Sequence, residues 1–220
     1  MVPAPDNVDV AAAVSAVILA AGRASRMGEE KLLLPLGDRP VLRHVVESVD
    51  RAGMRETIVV VNPRNRVAIA ALVSDRPRRV VCNERFQDGI ASSIAAGTGA
   101  VSEDSEALVL VQGDQPLVTS EMLLALVSVW RQERVPFVAA SYDGLTTTPV
   151  VFARALYPEL RDLQGDVGAR AVLRRHAGRT IAFPGWMGSD LDTPADYDAL
   201  QKEWSARRQM NIATSSAREA

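Results

Sequence analysis

Four short apolar runs, rich in β-branched residues, recur along the first half of the chain. They cover residues 16–19, 57–61, 80–82 and 108–111, and each is bounded by charges or turn residues. Their apolar residues are nearly continuous and do not alternate with polar ones, which is typical of strands covered on both faces. The runs therefore predict a buried, mainly parallel β-sheet.

Segments with helical spacing lie between these runs, at residues 41–52, 66–74, 92–100 and 120–132. Such alternation of strands and helices indicates βαβ units with right-handed crossovers. Further strands at 137–141 and 149–152 and a helix at 167–175 complete the predicted sheet. The predicted fold is a three-layer α/β/α sandwich of the Rossmann-like type.

The length of 220 residues fits a single domain. We expect this domain at residues 14–204. The segments 1–13 and 205–220 are polar, rich in small residues and without helical or strand periodicity, so they are predicted to be flexible tails.

Charge and composition exclude several classes of function. The formal net charge of -2 argues against a nucleic acid or an anionic membrane as partner. Cys82 is the only cysteine, which excludes an intrachain disulfide and a thiolate metal site. Residues 1–13 lack the basic start of a secretory signal, and the apolar stretch 14–21 is too short to cross a bilayer. We therefore expect a soluble, cytoplasmic protein.

The turn after the first predicted strand combines small residues with cations. Leu-Ala-Ala-Gly at 19–22 is followed by Arg26, Gly28 and Lys31. Small residues let backbone N–H groups approach phosphate oxygens, and Arg and Lys neutralise the charge of a triphosphate. The turn lacks the Gly-Lys-Ser/Thr of a P-loop and the spacing of a G-x-G-x-x-G fingerprint. It is either another kind of phosphate-binding loop or a surface loop with solvated cations.

Asp114 follows the apolar run 108–111, in a turn that contains glycine and proline. Ligands of open α/β sheets gather at the carboxyl ends of strands. Magnesium takes few protein carboxylates and completes its shell with water and substrate phosphates, so one or two aspartates suffice, and Asp192 is the natural second. Each aspartate also has a structural interpretation, because Asp114 can form an Asx-turn and Asp192 can cap a helix near Pro194.

The string Leu-Ala-Ala-Gly-x-x-x-Arg-Met-Gly-x-x-Lys resembles the activating loop of sugar-nucleotide and cofactor nucleotidyltransferases. The similarity is closest to the MocA-like molybdenum cofactor cytidylyltransferases, which are related to the MobA guanylyltransferases. It extends over residues 17–200 and includes Leu-Leu-Leu-Pro-Leu, Gly-Ile-Ala-Ser-Ser, Gly-Asp-Gln-Pro, Gly-Asp-Val-Gly-Ala-Arg and Asp-Leu-Asp-Thr-Pro. The resemblance implies a glycosyltransferase-A-like fold.

The resemblance also implies a reaction. CMP passes from CTP to the terminal phosphate of Mo-molybdopterin, in the presence of Mg²⁺, and pyrophosphate is released. The product, molybdopterin cytosine dinucleotide, serves hydroxylases of the xanthine oxidase type, so a molybdenum hydroxylase or its chaperone is the expected transient partner. Because in-line attack on the α-phosphorus requires no enzyme nucleophile, His44 and His176 are not needed as bases.

Site residues follow from the matching motifs. The implied catalytic residues are Arg26, Lys31 and Asp114, and the implied metal ligands are Asp114 and Asp192 with support from Asp190. Nucleotide binding is implied for Leu19, Ala20, Ala21, Gly22, Gly28, Gly89, Ser92, Ser93 and Gly113. Acceptor binding is implied for Gly165, Asp166, Gly168 and Arg170. The small residues after Gly89 also have a structural interpretation as a surface for close helix packing, and Arg170 as solvated helix surface.

Two positions bear on the substrates. Within the resembling families, Ala21 goes with cytidylyltransferases and a glycine in its place with guanylyltransferases, so the resemblance favours CTP. Thr147-Thr148-Pro149 departs from the Gly-His-Pro that these enzymes commonly carry, which puts the acceptor in doubt. The alternatives are a MobA-like guanylyltransferase, an enzyme for another phosphorylated acceptor, and a non-catalytic carrier of nucleotide or cofactor.

Overall fold

The structure, a computed structural model, describes residues 11–22 and 30–216, with side chains as far as residue 206. Its strands are β1 (Val14–Ala20), β2 (Pro35–Leu36), β3 (Arg39–Pro40), β4 (Thr57–Val61), β5 (Arg79–Cys82), β6 (Ala107–Gln112), β7 (Phe137–Tyr142), β8 (Leu145–Ala153) and β9 (Arg179–Phe183). Its α-helices are α1 (Val41–Arg51), α2 (Arg66–Leu72), α3 (Ile90–Gly99), α4 (Ser120–Glu133), α5 (Tyr157–Arg161), α6 (Arg170–Leu173) and α7 (Pro194–Ser216).

One sheet of seven strands organises the described residues, in the order β5-β4-β1-β6-β8-β7-β9. The strands β5, β4, β1 and β6 pair in parallel. The strand β8 is antiparallel to both β6 and β7, and β9 is parallel to β7. Six of these seven strands therefore run in one direction, while β2 and β3 form a separate antiparallel pair.

Helices cover both faces of the sheet. Val45 of α1 and Leu126 of α4 share an apolar cluster with Ile18 of β1. On the opposite face, Ile94 of α3 shares a second cluster with Val17 of the same strand. Neighbouring residues of β1 thus point into different layers, and both layers exclude water, which explains why this strand reads as a continuous apolar run.

The predicted α/β/α sandwich with a mainly parallel sheet is confirmed. All six predicted strands are present, with ends that extend by at most a few residues. The predicted helix at 167–175 is shorter, and only α6 is α-helical there. The sequence interpretation missed β9, because this edge strand alternates exposed and half-buried residues and has no continuous apolar run. Across the described residues, no helix combines the length and apolar content that spanning a membrane requires.

The backbone of α7 is helical as far as Ser216, so this helix extends into the segment 205–220, and the flexibility predicted for that segment stays a prediction. The helix starts at a reciprocal cap, in which the Thr193 side chain accepts from the Asp196 N–H at 3.2 Å and Asp196 accepts from the Thr193 N–H at 2.7 Å. Leu200 and Trp204 then join an apolar cluster with Leu36. Tertiary packing stabilises this helix although its sequence has little amphipathic pattern. Residues 1–10 of the other predicted tail lie outside the described residues.

Candidate active site

The loops that follow β1 and β6 meet at the carboxyl edge of the sheet. The two strands are parallel neighbours whose ends pair Leu19 with Gln112. From β1 the sheet continues to β4 and β5 on one side, whereas β6 and β8 lie on the other. The strand order therefore reverses between β1 and β6, and at such a point a crevice forms outside the carboxyl ends of the strands, where α/β proteins bind ligands. The backbone N–H of Gly113 donates to the Leu19 carbonyl at 2.9 Å and holds the second loop against the first.

Lys31 joins two of the predicted metal ligands. Its Nζ donates to Oδ2 of Asp114 at 2.6 Å and to Oδ1 of Asp192 at 2.9 Å. The side chains of Lys31 and Asp114 are each 12% exposed, and that of Asp192 is 52% exposed. Burial by itself lowers the pKa of Lys31, but the charges and hydrogen bonds of the two aspartates raise this pKa above its ordinary value. The ammonium therefore stays charged.

Asp190 precedes Asp192 by two positions and has a different hydrogen-bond partner. Nε2 of the fully buried Gln115 donates to Oδ1 of Asp190 at 2.6 Å. Burial raises the pKa of Asp190 to about 6, the Asp114 charge adds to this, and the hydrogen bond from Gln115 opposes it. The backbone N–H of Leu191 donates to the Asp114 carbonyl at 3.2 Å and ties the late acidic segment to the loop after β6.

Asp114 retains an oxygen that suits a cation. Its Oδ1 is buried, and within the described residues no hydrogen bond reaches it. No group of three His, Cys, Asp or Glu side chains in this part of the chain is placed to hold a metal ion. Magnesium, however, is commonly held by one or two carboxylates together with water and substrate phosphates. Asp114 and Asp192 therefore fit a magnesium ion that binds with its nucleotide.

Two asparagines after β4 hold the backbone of the first loop. Nδ2 of Asn62 donates to the carbonyls of Ala21 and Gly22 at 3.3 and 3.4 Å, and Nδ2 of Asn65 donates to Ala20 at 2.8 Å. Both asparagines are buried, and each accepts the backbone N–H of the other at 3.0 and 3.1 Å. The backbone at the start of the predicted nucleotide loop is thus held by hydrogen bonds from the segment that follows β4.

Ser92 and Ser93, predicted to bind the nucleobase, both contact Asn83 at the end of β5. Their hydroxyls accept from Nδ2 of Asn83 at 2.8 and 3.0 Å, and Ser92 donates to the Gly89 carbonyl at 2.8 Å. A methyl group added at Gly97 of the same helix would lie 2.4 Å from Cγ1 of a β1 valine, so the small residues of α3 also serve close packing. Base recognition by the two serines stays a prediction.

Gly89 brings the predicted nucleotide and acceptor segments into contact. Its φ is +99° and its ψ is 176°, a conformation open mainly to glycine. A β-carbon at this position would lie 2.3 Å from the carbonyl carbon and oxygen of Gly165. The backbone N–H of Ala91 donates to the same carbonyl at 3.2 Å. Glycine is therefore required at position 89 by both conformation and close approach.

A cavity of about 440 Å³ lies between α3, β6, β8 and α6. Its lining includes three of the predicted acceptor residues, Asp166, Gly168 and Arg170, together with Thr147 and Thr148. The volume falls in the range of small-molecule pockets. The acceptor-like motif and the threonines that depart from the family pattern thus line one cavity.

A chain of hydrogen bonds runs from this cavity to the acidic segment. Nε2 of Gln112 donates to Oγ1 of Thr148 at 3.0 Å, and the Thr148 hydroxyl donates to Oε1 of Gln115 at 3.0 Å. Gln115 in turn donates to Asp190 at 2.6 Å. Because Thr148 and Gln115 are buried, each link fixes the orientation of the next.

The structure brings Lys31, Asp114 and Asp192 into contact, and the roles predicted for them stay predictions. Arg26 and Gly28 lie outside the described residues. Several polar residues that hold the site were missed, namely Asn62, Asn65, Asn83, Gln112 and Gln115. Ligands of open α/β sheets gather at the carboxyl ends of strands, which is why Asp114 was predicted to be functional. The same rule applies to these residues, because each lies at or just after the carboxyl end of a parallel strand.

Known proteins of similar sequence include the purine catabolism protein PucB of Bacillus subtilis, which is 28% identical over 201 residues that cover 86% of this chain and 96% of PucB. The bifunctional protein GlmU of Symbiobacterium thermophilum is 34% identical over 116 residues, but these cover 52% of this chain and only 24% of GlmU. The chain therefore spans almost all of PucB and about a quarter of that GlmU.

Solved structures share the fold over nearly their whole length. Rv0371c of Mycobacterium tuberculosis is 30% identical, with a TM-score of 0.78 over 87% of this chain and 99% of that one. The complex of Rv0371c with manganese is 28% identical, with a TM-score of 0.74 over 86% and 98% of the two chains. The family model of the MobA-like NTP transferase domain matches residues 16–180. The chain thus belongs to the MobA-like NTP transferase family.

Proposed function

We propose that this nucleotidyltransferase moves CMP from CTP to the terminal phosphate of Mo-molybdopterin, giving molybdopterin cytosine dinucleotide and pyrophosphate. The observation that carries the proposal is the convergence of Lys31, Asp114 and Asp192 beside the loops after β1 and β6. One cation and two carboxylates then lie where an α/β protein holds a ligand. A triphosphate and a divalent cation match this combination of charges.

The chemistry is a displacement at phosphorus. An oxygen of the acceptor's terminal phosphate forms a bond to the α-phosphorus of CTP, and the bond from that phosphorus to the leaving pyrophosphate breaks. The main obstacle is repulsion among the phosphates, so positioning and positive charge supply most of the catalysis. Lys31 serves this purpose, and the loop sequence assigns the same role to Arg26.

Asp114 and Asp192 would hold the magnesium ion, which when bound supplies further neutralisation of the phosphate charges. The manganese complex of Rv0371c supports the use of a divalent cation by a relative of this chain. Lys31 neutralises both carboxylates in the structure, and its stem has four flexible methylene groups. We infer that its ammonium turns toward the phosphates when the nucleotide and cation enter.

Ala21 supports CTP as the donor. Its side chain is 2% exposed and belongs to the apolar cluster that contains Val17 and Ile94. A glycine at this position would remove a buried methyl group and release the loop backbone. We therefore infer that Ala21 favours the smaller base by fixing the position of the loop, without direct contact with the base.

PucB supports the choice of acceptor through its name, which assigns it to purine catabolism. Hydroxylases of the xanthine oxidase type oxidise purines, so an enzyme that completes their cofactor has a place in such a pathway. The partner of this chain would then be a molybdenum hydroxylase or its chaperone, in the cytoplasm. The cavity lined by Asp166, Gly168 and Arg170 would receive the molybdopterin.

The test is pyrophosphate release by the purified protein with magnesium and Mo-molybdopterin, compared for CTP, GTP and ATP. We expect release with CTP and a cytosine dinucleotide as product. Preference for GTP would replace the proposal with a guanylyltransferase. Turnover only with another phosphorylated acceptor would refute the choice of molybdopterin, and CTP binding without any turnover would indicate a carrier.

A further inference from the structure

The ionisable side chains of the 440 Å³ cavity are unevenly distributed. Asp166, Arg170 and Arg174 lie on the wall formed by α6 and the segment before it, and they give this wall a net charge of one positive unit. Arg170 and Arg174 are four positions apart in helical backbone, so their side chains lie on the same face. Two guanidinium groups therefore border the cavity side by side.

In the part of the chain that the structure describes, these two arginines differ from their neighbours in having no acidic partner. Arg175 and His176 both bind Glu159, at 3.2 and 2.6 Å. Within the described part of the chain, neither Arg170 nor Arg174 forms an ion pair, although Asp166 lines the same cavity. Their charge is thus available to a molecule in the cavity.

Among the residues that the structure describes, the opposite wall offers no such charge. There the Thr148 hydroxyl has already donated its hydrogen to Gln115, so toward the cavity it can only accept a hydrogen bond. An anion, which also only accepts, gains nothing from this hydroxyl. The arginine wall is therefore the part of the cavity that suits a negatively charged group.

We propose that Arg174, together with Arg170, binds the anionic phosphate monoester of the acceptor. This assignment of Arg174 rests on the proposed function, which places the acceptor in this cavity. A phosphate monoester carries close to two negative charges at neutral pH and accepts paired hydrogen bonds from guanidinium groups. Two adjacent arginines supply both the matching charge and the donors.

The kinetic test is Arg174→Gln, with Arg175→Gln as matched control because Arg175 already binds Glu159. We expect the KM for the acceptor to rise about tenfold in Arg174→Gln, the change that loss of one charge-assisted hydrogen bond produces, with the KM for CTP unchanged. The acceptor KM should also depend less steeply on salt concentration. Equal effects of both variants, or an unchanged acceptor KM, would overturn the proposal.

A second measurement separates this proposal from the choice of reaction. Arginines of the unmodified protein are labelled with phenylglyoxal, with and without inorganic phosphate, and the peptides are compared by mass spectrometry. Protection of Arg170 and Arg174, but not of Arg175, would support the anion site even if CTP and Mo-molybdopterin give no turnover. Equal labelling of all three with and without phosphate would refute it.

Discussion

Lys31 and Asp114 are 83 positions apart in the chain, and their side chains form an ion pair of 2.6 Å. The sheet order brings them together, because β1 and β6 are parallel neighbours whose following loops meet. Leu32, next to Lys31, is buried in the same cluster as Leu42 of α1, which fixes the lysine segment against the core. The ion pair is therefore a consequence of topology and packing.

Replacing this lysine tests its role in phosphate binding. We expect Lys31→Gln to lower kcat/KM for pyrophosphate release about 10²- to 10³-fold, since a preorganised charge at the phosphates is lost. Lys202→Gln, at an exposed position of α7, is the matched control and should retain activity. Similar rates for Lys31→Gln and the control would show that Lys31 only neutralises the two aspartates.

Asp114→Asn tests the cation site without an activity assay. The unmodified protein should gain thermal stability when Mg²⁺ or Mn²⁺ is added with CTP, because a ligand that binds only the folded state stabilises it. Asp114→Asn should lose most of this gain, and Asp198→Asn, at an exposed position, should keep it. An equal gain in both variants would exclude Asp114 as a metal ligand.

The fold was predictable because a strand that is buried on both faces has a continuous run of apolar residues in the sequence. The continuous apolar runs of β1 and β4 reflect helices on either side of the sheet. Edge strands have no such continuous apolar run, which explains why β9 was not predicted. A helix near Pro194 was considered in the sequence, but its length was not, because the helix is stabilised by the packing of Leu200 and Trp204 against Leu36, a contact between distant segments.

The candidate site was predictable where charges occur in recognisable strings, as at Lys31, Asp114 and Asp192. The uncharged residues that orient the site were not predictable, because the sequence does not distinguish a buried asparagine such as Asn65 from an asparagine in a solvated turn. Its hydrogen bond to Ala20 depends on the pairing of β1 with β4. The sequence therefore indicated the charged residues of the candidate site, and only the fold showed which uncharged residues orient them.

Gly89→Ala should destabilise the protein by roughly 3 kcal/mol, because the position combines a strained conformation with a β-carbon contact of 2.3 Å to Gly165. Urea unfolding would measure the loss. Gly99→Ala is the matched control, since no atom lies within 4 Å of a β-carbon at that position. Equal stability of the two variants would show that the loops at 89 and 165 separate easily.

Thr148→Val tests the hydrogen-bond chain between the cavity and the acidic segment. Valine has nearly the same shape but leaves both Gln112 and the buried Gln115 without their partner. We expect a lower kcat and a higher acceptor KM, with the KM for CTP little changed. Thr148→Ser, which keeps the hydroxyl, should restore most of the loss, and failure of serine to do so would indicate that the methyl group matters instead.

His44 should make the stability of the protein depend on pH. Its Nε2–H donates to the Leu36 carbonyl at 2.8 Å, and its ring lies 4.2 Å from that of Trp204 on α7. Burial lowers the pKa of His44 below its ordinary value; the hydrogen bond to Leu36 and the charge of Glu47 oppose this shift without reversing it. The folded protein therefore holds the neutral imidazole.

The direction of the pH effect follows from proton binding. Because the pKa of His44 is lower in the folded state, the unfolded chain binds a proton first as the pH falls below about 6.5, and stability is lost over that window. We expect the free energy of urea unfolding to fall less steeply between about pH 7.5 and 5.5 in His44→Gln, whose amide can still donate to Leu36 but does not titrate in this range. If the two proteins lose stability in parallel over this range, protonation of His44 does not account for the loss.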